Sequence, residues 1–210
     1  MDTYHKVEYP KVNKDYIQQL IDYLCEQYFT ESGRLLDIGC GLGHHMEAFA
    51  KNGFIVEGVD KECNLEYMLL PYHDKSFDYV FSKSFLEHVH NTENVLTETH
   101  RVLNKGGKAL FLVPDWTRQI KCFWDDSTHI KPFTQWGLKQ AFWLAGFKDV
   151  TCQYFYQLPF VWRHPYLMFI PHIIQHLVPD RYKWKDRRNG KQNILIRHSK
   201  ERMLLCYARK

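Results

Sequence analysis

LLDIGCGLG, residues 35–43, is the stretch whose reading decides the fold, and HHMEAFAKNG, residues 44–53, completes it. A short apolar run carries an acid, Asp37, and enters glycines at 39, 41 and 43. The chain must turn sharply there from strand to helix. Glycine permits positive φ and lets a ligand approach the backbone closely. Free N–H groups at the start of the following helix can bind a carboxylate or a phosphate. The spacing separates two cofactor classes. A dinucleotide fingerprint, G-x-G-x-x-G counted from Gly39, needs a third glycine where His44 stands. Glycines at every second position instead favour a ligand without a pyrophosphate, which makes a nicotinamide dehydrogenase a distant reading. A tight turn with no ligand is the structural alternative.

Working outward, residues 14–29 place Ile17, Leu20, Ile21, Leu24 and Tyr28 at helical spacing. Strands are expected at 34–38, 54–60, 77–82, 108–113, 147–156 and 202–208. Helices are expected at 44–53 with a stop at Gly53, at 91–103 capped by Asn91 or Thr92, and at 134–145 between Thr134 and Gly146. Strands alternating with helices imply an α/β fold with a mostly parallel sheet covered on both faces. Ligands bind such sheets at the carboxyl ends of the strands.

The 210 residues, 45% hydrophobic and 16% aromatic, fit one domain over 1–210 and exclude a disordered chain. The net charge of +4 is uneven: residues 181–210 carry +9 and the rest −5. Such a basic end can meet phosphate, a membrane surface or nucleic acid, or be a solvated hairpin. The cysteines at 25, 40, 63, 122, 152 and 206 form no C-x-x-C pair, which suggests a reduced, cytoplasmic protein with neither zinc cluster nor disulfide framework. MDTYHKVEYP is not a signal peptide, and no apolar run reaches membrane-spanning length. The nearest, 158–178, is broken by Arg163, Pro165, Pro171 and histidines.

LLDIGCGLG resembles motif I of the class I S-adenosylmethionine (SAM)-dependent methyltransferases, and the resemblance, to the broad type 11 group, runs from about residue 14 to about residue 156. It implies the Rossmann-like sandwich of that class, with an antiparallel last strand and helices on both faces. SAM is then the cofactor and S-adenosylhomocysteine the product. The resemblance places Asp37, Gly39, Cys40, Gly41 and Gly43 around the methionine part of SAM. Asp60, closing the second strand with Lys61 beside it, takes the ribose, since a carboxylate offers two oxygens to a vicinal diol. EYMLLPYHDKSFDYVFSKSFLEHV, residues 66–89, resembles the family's D-x-x-x-L-P-F…SFD-x-V…LEH pattern. Glu66 then takes the adenine amino group, and Ser82 and Lys83 lie beside the methionine moiety. The stretch between Asp60 and this motif is compressed, so one sheet strand is expected to be vestigial. Leu86-Glu87-His88 is expected to start a helix facing the methyl group, with His88 a base or a structural histidine.

Methylating an alcohol requires in-line alignment, exclusion of water and removal of a proton. The candidates cluster in WDDSTHIKPFT, residues 124–134, where His129 is the first choice of base and Asp126 or Asp125 the group orienting it. A loop histidine bonded to backbone is the alternative. Similar D-x-T-H-x-x-P-F-T segments occur in methyltransferases encoded with polysaccharide-building enzymes, which implies a sugar or glycan acceptor. The Asp pair with His129 offers only weak grounds for Mg²⁺, and no metal ligands are assigned. Residues 157–201 form an aromatic and basic insertion, expected as a lid before the last strand. Its aromatic rings suit sugar faces, a homodimer interface through 157–180 or a membrane-facing patch. His172 and His176, four apart on a helix expected to begin at Pro171, lack a third ligand, and Arg187 and Arg188 are candidates for anionic groups. Two alternatives stay open: methylation of RNA, protein or another small molecule, and a non-catalytic SAM-binding module. The chain has no N-P-P-Y motif, which argues against base N-methylation of nucleic acid, and nucleic acid is not the expected partner.

Overall fold

A computed structural model of the chain describes residues 12–60, 69–186 and 191–210. Lys61 and Glu66, together with Arg187 and Arg188, lie outside the described residues. The first helix, α1 (Lys14–Tyr28), starts where the Asn13 side chain accepts a bond from the Tyr16 N–H. Then follow β1 (Arg34–Ile38), α2 (His44–Lys51), β2 (Ile55–Val59) and β3 (Phe77–Lys83). After these come α3 (Thr92–Val102), β4 (Leu103–Pro114), α4 (Trp116–Gln119), α5 (Gln135–Leu144) and β5 (Lys148–Phe155). The segment before the last strand holds α6 (Pro159–Arg163), α7 (Phe169–Leu177), β6 (Trp184–Asp186), β7 (Lys191–Gln192) and α8 (Ile194–Lys200), and β8 (Met203–Arg209) ends the chain.

The main sheet has the order β2-β1-β3-β4-β8-β5. β1 pairs in parallel with β2 and β3, and β3 with β4; β8 runs antiparallel to both β4 and β5. The chain moves outward from β1 to β2 and returns to β3 on the other side of β1. That reversal opens a crevice at the carboxyl ends of β1 and β3, where open α/β sheets hold their ligands. Among the described residues no strand lies between β2 and β3, in keeping with the compressed stretch after Asp60.

Alternation along the strands divides the core into two layers. Leu35, Tyr79, Phe81, Leu110 and Leu112 pack against Leu20, Ile21 and Leu24 of α1 and Phe49 of α2. Leu36, Ile38, Val80, Ala109 and Phe111 pack on the opposite face against Val95 and Leu96 of α3 and Leu138 and Phe142 of α5. Each fully buried Leu or Phe in these layers contributes roughly 1.5–3 kcal/mol.

Two local expectations change. β4 begins at Leu103, not at Lys108, because Gly106-Gly107 is absorbed as an irregularity in its pairing with β3, with Gly106 at φ +79°. Leu86–His88 is a separate 3₁₀ turn and does not start a helix. α3 starts at Thr92, where the Asn91 side chain caps the Asn94 N–H at 3.1 Å. In the inserted segment, α7 begins at Phe169, ahead of Pro171. Trp162 of α6 stacks on Tyr23 of α1 at 5.4 Å and 21°, and on Phe155 of β5 at 5.4 Å and 17°.

Candidate active site

The glycine turn leaves the carboxyl end of β1. Gly39, Gly41 and Gly43 all have positive φ, at +80°, +50° and +75°. The Gly39 and Cys40 N–H groups donate to the Val59 carbonyl at 2.8 and 3.2 Å, which ties the turn to the end of β2. A Cβ on Gly39 would lie 2.7 Å from the Phe85 ring, whereas a Cβ on Gly41 would meet nothing within 4 Å. Gly39 thus admits Phe85, and Gly41 faces open space. Asp37 is 1% exposed and its Oδ2 has no hydrogen-bond partner. Burial, helped by the Asp60 carboxylate, pushes the Asp37 carboxyl up to about 7.

At the end of β3, the Ser82 hydroxyl donates to the Ile38 carbonyl at 2.7 Å, a bond from β3 to β1 across the switch point. Removal from water pushes the neighbouring Lys83 ammonium below its ordinary value, against the pull of Glu87. His45, in the first turn of α2, stands 5.5 Å from the Phe81 ring. Burial, with Lys83 and His44 adding repulsion, pushes its imidazole down to about 3, so it is neutral at physiological pH. Sequence reasoning passed over His45, which looked like any polar residue after a glycine turn.

The second half of the site is assembled from two distant segments. Past β4, the chain makes a loop closed at its base by a bridge between Asp115 and Phe133. Asp115 is fully buried and accepts a bond from Arg202 Nε at 2.6 Å, which pins the loop to the start of β8. Further along, the N–H groups of Ile130 and Lys131 donate to the Glu87 carbonyl at 2.7 and 3.0 Å. These bonds lay the loop over the Leu86–His88 turn and bring the rings of His88 and His129 to 4.8 Å. Phe85, which fills the space beside Gly39, directly precedes that turn, so the two halves adjoin.

Hydrogen bonds set the chemistry of the two histidines. His129 Nδ1 lies 2.6 Å from the Phe123 carbonyl. A carbonyl only accepts, so Nδ1 carries a proton, and in the neutral ring Nε2 holds the lone pair. Asp126 Oδ2 stands 3.9 Å from that Nε2. The group that orients His129 is therefore the Phe123 carbonyl; Asp126 sits at the other nitrogen and Asp125 is exposed. His88 Nδ1 lies 3.1 Å from the Thr128 carbonyl and 2.9 Å from Thr128 Oγ1. Thr128 Oγ1 donates to Asp126 Oδ1 at 2.6 Å, so it accepts from His88, and His88 also keeps a free Nε2. Burial pushes the His88 imidazole below its ordinary value. Between them Glu87 is 1% exposed, with Oε2 unpartnered, and burial pushes its carboxyl up to about 8. One ligand atom each from Glu87, His88 and His129 lies within 4.8 Å of the other two. The residues that gather around His129 are thus Glu87 and His88, in addition to Asp126 of the Asp pair.

Among the described residues, four cations of the basic end form close ion pairs within the chain. Lys183 and Arg197 pair with Glu201 at 3.0 and 2.7 Å, Lys200 with Asp180 at 3.0 Å and Arg202 with Asp115. His176 Nδ1 bonds the His172 carbonyl at 2.7 Å, one turn back on α7. Among the described residues no helix is long and apolar enough to cross a membrane.

A family model described as a methyltransferase domain matches residues 8–152. The chain belongs to that family. This methyltransferase domain is 25% identical over 145 residues to phosphoethanolamine N-methyltransferase 2 of Caenorhabditis elegans, a match covering 59% of this chain and 31% of that protein. It is 28% identical over 111 residues to the ubiquinone biosynthesis O-methyltransferase of Coxiella burnetii, covering 43% and 47%. The chain matches about a third of the first relative's length and about half of the second's. A SAM-dependent methyltransferase of Archaeoglobus fulgidus shares the fold with a TM-score of 0.60 over 94% of this chain and 95% of that one, at 19% identity. In family and fold this is a class I SAM-dependent methyltransferase domain.

Proposed function

We propose that the domain transfers the methyl group of SAM to a hydroxyl oxygen of a sugar or glycan, with His129 Nε2 as proton acceptor. The glycine turn fits SAM: Asp37 Oδ2 is a buried acceptor without a partner and suits an ammonium group, and the space before Gly41 is open for a ligand. Asp60, at the end of β2, is the candidate for the ribose hydroxyls. SAM supplies an activated methyl on a sulfonium, so the protein need only align the acceptor and take its proton. When the C–O bond forms, the C–S electron pair stays on sulfur and the hydroxyl proton passes to Nε2.

The observation that carries this reading is the 2.6 Å bond from His129 Nδ1 to the Phe123 carbonyl, which leaves Nε2 as a fixed lone pair beside the Leu86–His88 turn. Trp124 supports a sugar. Its ring is 57% exposed, stands edge-on to Phe123 at 4.9 Å, and offers a platform for an apolar sugar face next to His129. The internal pairing of the basic end speaks for a small molecule or glycan over nucleic acid. The two relatives named above differ in acceptor atom, nitrogen in one and oxygen in the other, and a base matters more for the oxygen, since an alcohol must lose its proton.

The test is a transfer screen with labelled SAM against sugars, glycans and amines, followed by His129→Asn on the best acceptor. The variant is expected to lower kcat by about 10²–10⁴-fold, the usual contribution of a general base, and to leave SAM affinity unchanged. Unchanged turnover in the variant removes the base, and transfer to amines alone removes the hydroxyl.

A further inference from the structure

We propose that Glu87, His88 and His129 form a site for one divalent first-row transition cation, of the zinc or cobalt kind. Their ligand atoms lie within 4.8 Å of one another. Ligands held about 2.1 Å from a tetrahedral zinc stand about 3.4 Å apart, so a contraction of at most about 1.4 Å, within reach of side-chain torsions, completes the set.

Three observations point to a cation in addition to the grouping. Both imidazoles spend Nδ1 on a backbone carbonyl, of Phe123 and Thr128, and leave Nε2 free. A carbonyl on the far nitrogen is the partner that metal-bound histidines take, because it fixes the tautomer and the ring. Glu87 Oε2 is buried, in a side chain only 1% exposed, with no hydrogen-bond partner. A buried acceptor left unmet is unfavourable, and a cation meets it. The backbone is also held in place, since the Ile130 and Lys131 N–H groups bond the Glu87 carbonyl and fix the loop against the turn. Two imidazoles and one carboxylate with further positions open match catalytic zinc and non-haem iron sites, and imidazole favours transition cations over Mg²⁺.

The site keeps the hydroxyl acceptor of the proposed function, on which it rests for its purpose, and replaces its base. A cation there takes the Nε2 lone pair, so His129 becomes a ligand and the acceptor oxygen takes an open position. The cation lowers the affinity of that oxygen for its proton. The proton then passes to Asp126, whose carboxylate stands 3.9 Å from His129 Nε2. The C–S bond breaks with its electron pair on sulfur and the C–O bond forms.

The experiment titrates Co²⁺ into the full chain carrying His172→Ala and His176→Ala, which removes the competing helix pair. It is read by calorimetry and by visible d–d absorption. One equivalent is expected to bind, Zn²⁺ to displace it, and Glu87→Gln and His129→Asn each to weaken binding at least tenfold, with circular dichroism and SAM affinity unchanged. A readout that needs no variant in the site is paramagnetic shifting by Co²⁺ of the His88 and His129 ring resonances, with those of His198 unaffected. Absence of stoichiometric binding, undiminished affinity in either site variant, or unshifted His88 and His129 resonances at saturating Co²⁺ overturns the proposal. Methyl transfer is not read, so failure of the hydroxyl reading leaves this titration unchanged, and loss of the titration leaves the cation-free route intact.

Discussion

The turn at Asp37–Gly43 and the loop at Asp115–Phe133 both lie at the carboxyl edge of the sheet, but they are held in different ways. The turn is held by its own backbone: three glycines at positive φ and two N–H bonds to Val59 define its shape. The loop is bonded within itself, as from His129 Nδ1 to the Phe123 carbonyl, but its place is set by residues outside it. A buried ion pair with Arg202, 87 positions away, fixes its base, and two bonds to the Glu87 carbonyl fix its tip. A ligand site written in backbone geometry tolerates change in its surroundings. A site assembled from remote side chains fails when one anchor is lost.

The two regions should therefore come apart under mutation. The largest effect is expected at the loop's anchor. Arg202→Ala leaves the Asp115 carboxylate buried and unpaired, which destabilises by about 3–5 kcal/mol. It also removes the guanidinium that lies 3.4 Å over the Tyr154 ring. Denaturant unfolding should record that loss, while SAM binding by the remaining folded protein stays within about twofold, since the turn does not depend on the loop. If SAM binding falls in step with transfer, the two regions are one unit and the contrast is wrong.

Gly41→Ala is the converse. A Cβ there meets no protein atom within 4 Å, so the change in stability is only the strain of φ +50°, about 1–2 kcal/mol. SAM affinity by calorimetry should nevertheless drop by about tenfold or more, because the added methyl enters the space kept for the ligand. An unchanged affinity would move the cofactor away from the turn.

The smallest effect is a pH dependence that belongs to the turn alone. Asp37 titrates at about 7 in the folded chain against an ordinary value of 3.8. Between those values the folded form keeps a proton that the unfolded form has lost. Its contribution to stability is thus fully present below about 3.8 and is lost as pH rises through about 7. Binding of a cationic ligand reverses the preference by favouring the carboxylate. SAM affinity should rise about tenfold from about pH 6 to about pH 8, and Asp37→Asn should flatten that slope. A slope that survives the substitution assigns the proton to another group.

The same division separates what the chain spells out from what it conceals. Gly39, Gly41 and Gly43 were legible because a positive φ is a property of one residue, and glycine is the residue that adopts it without strain. The strands and their helices were legible because alternation and helical spacing are also local, and the antiparallel last strand followed from the family resemblance. Gly106-Gly107 misled, since a double glycine signals a break and the pairing of β4 with β3 overrode it. Glu87 stands inside LEH with no sequence signal of a role of its own. The bonds that hold it come from Ile130 and Lys131, more than 40 positions further along the chain. Phe123 orients His129 through its carbonyl, and a backbone group leaves no mark in a sequence. Local conformational preference thus determined, from the amino-acid order alone, the fold class and the conformation of the glycine turn. Only the tertiary structure decided which side chains share the second half of the site. His88 and Thr128 stand 40 positions apart, and their meeting depends on packing and long-range hydrogen bonds that no short stretch of chain encodes.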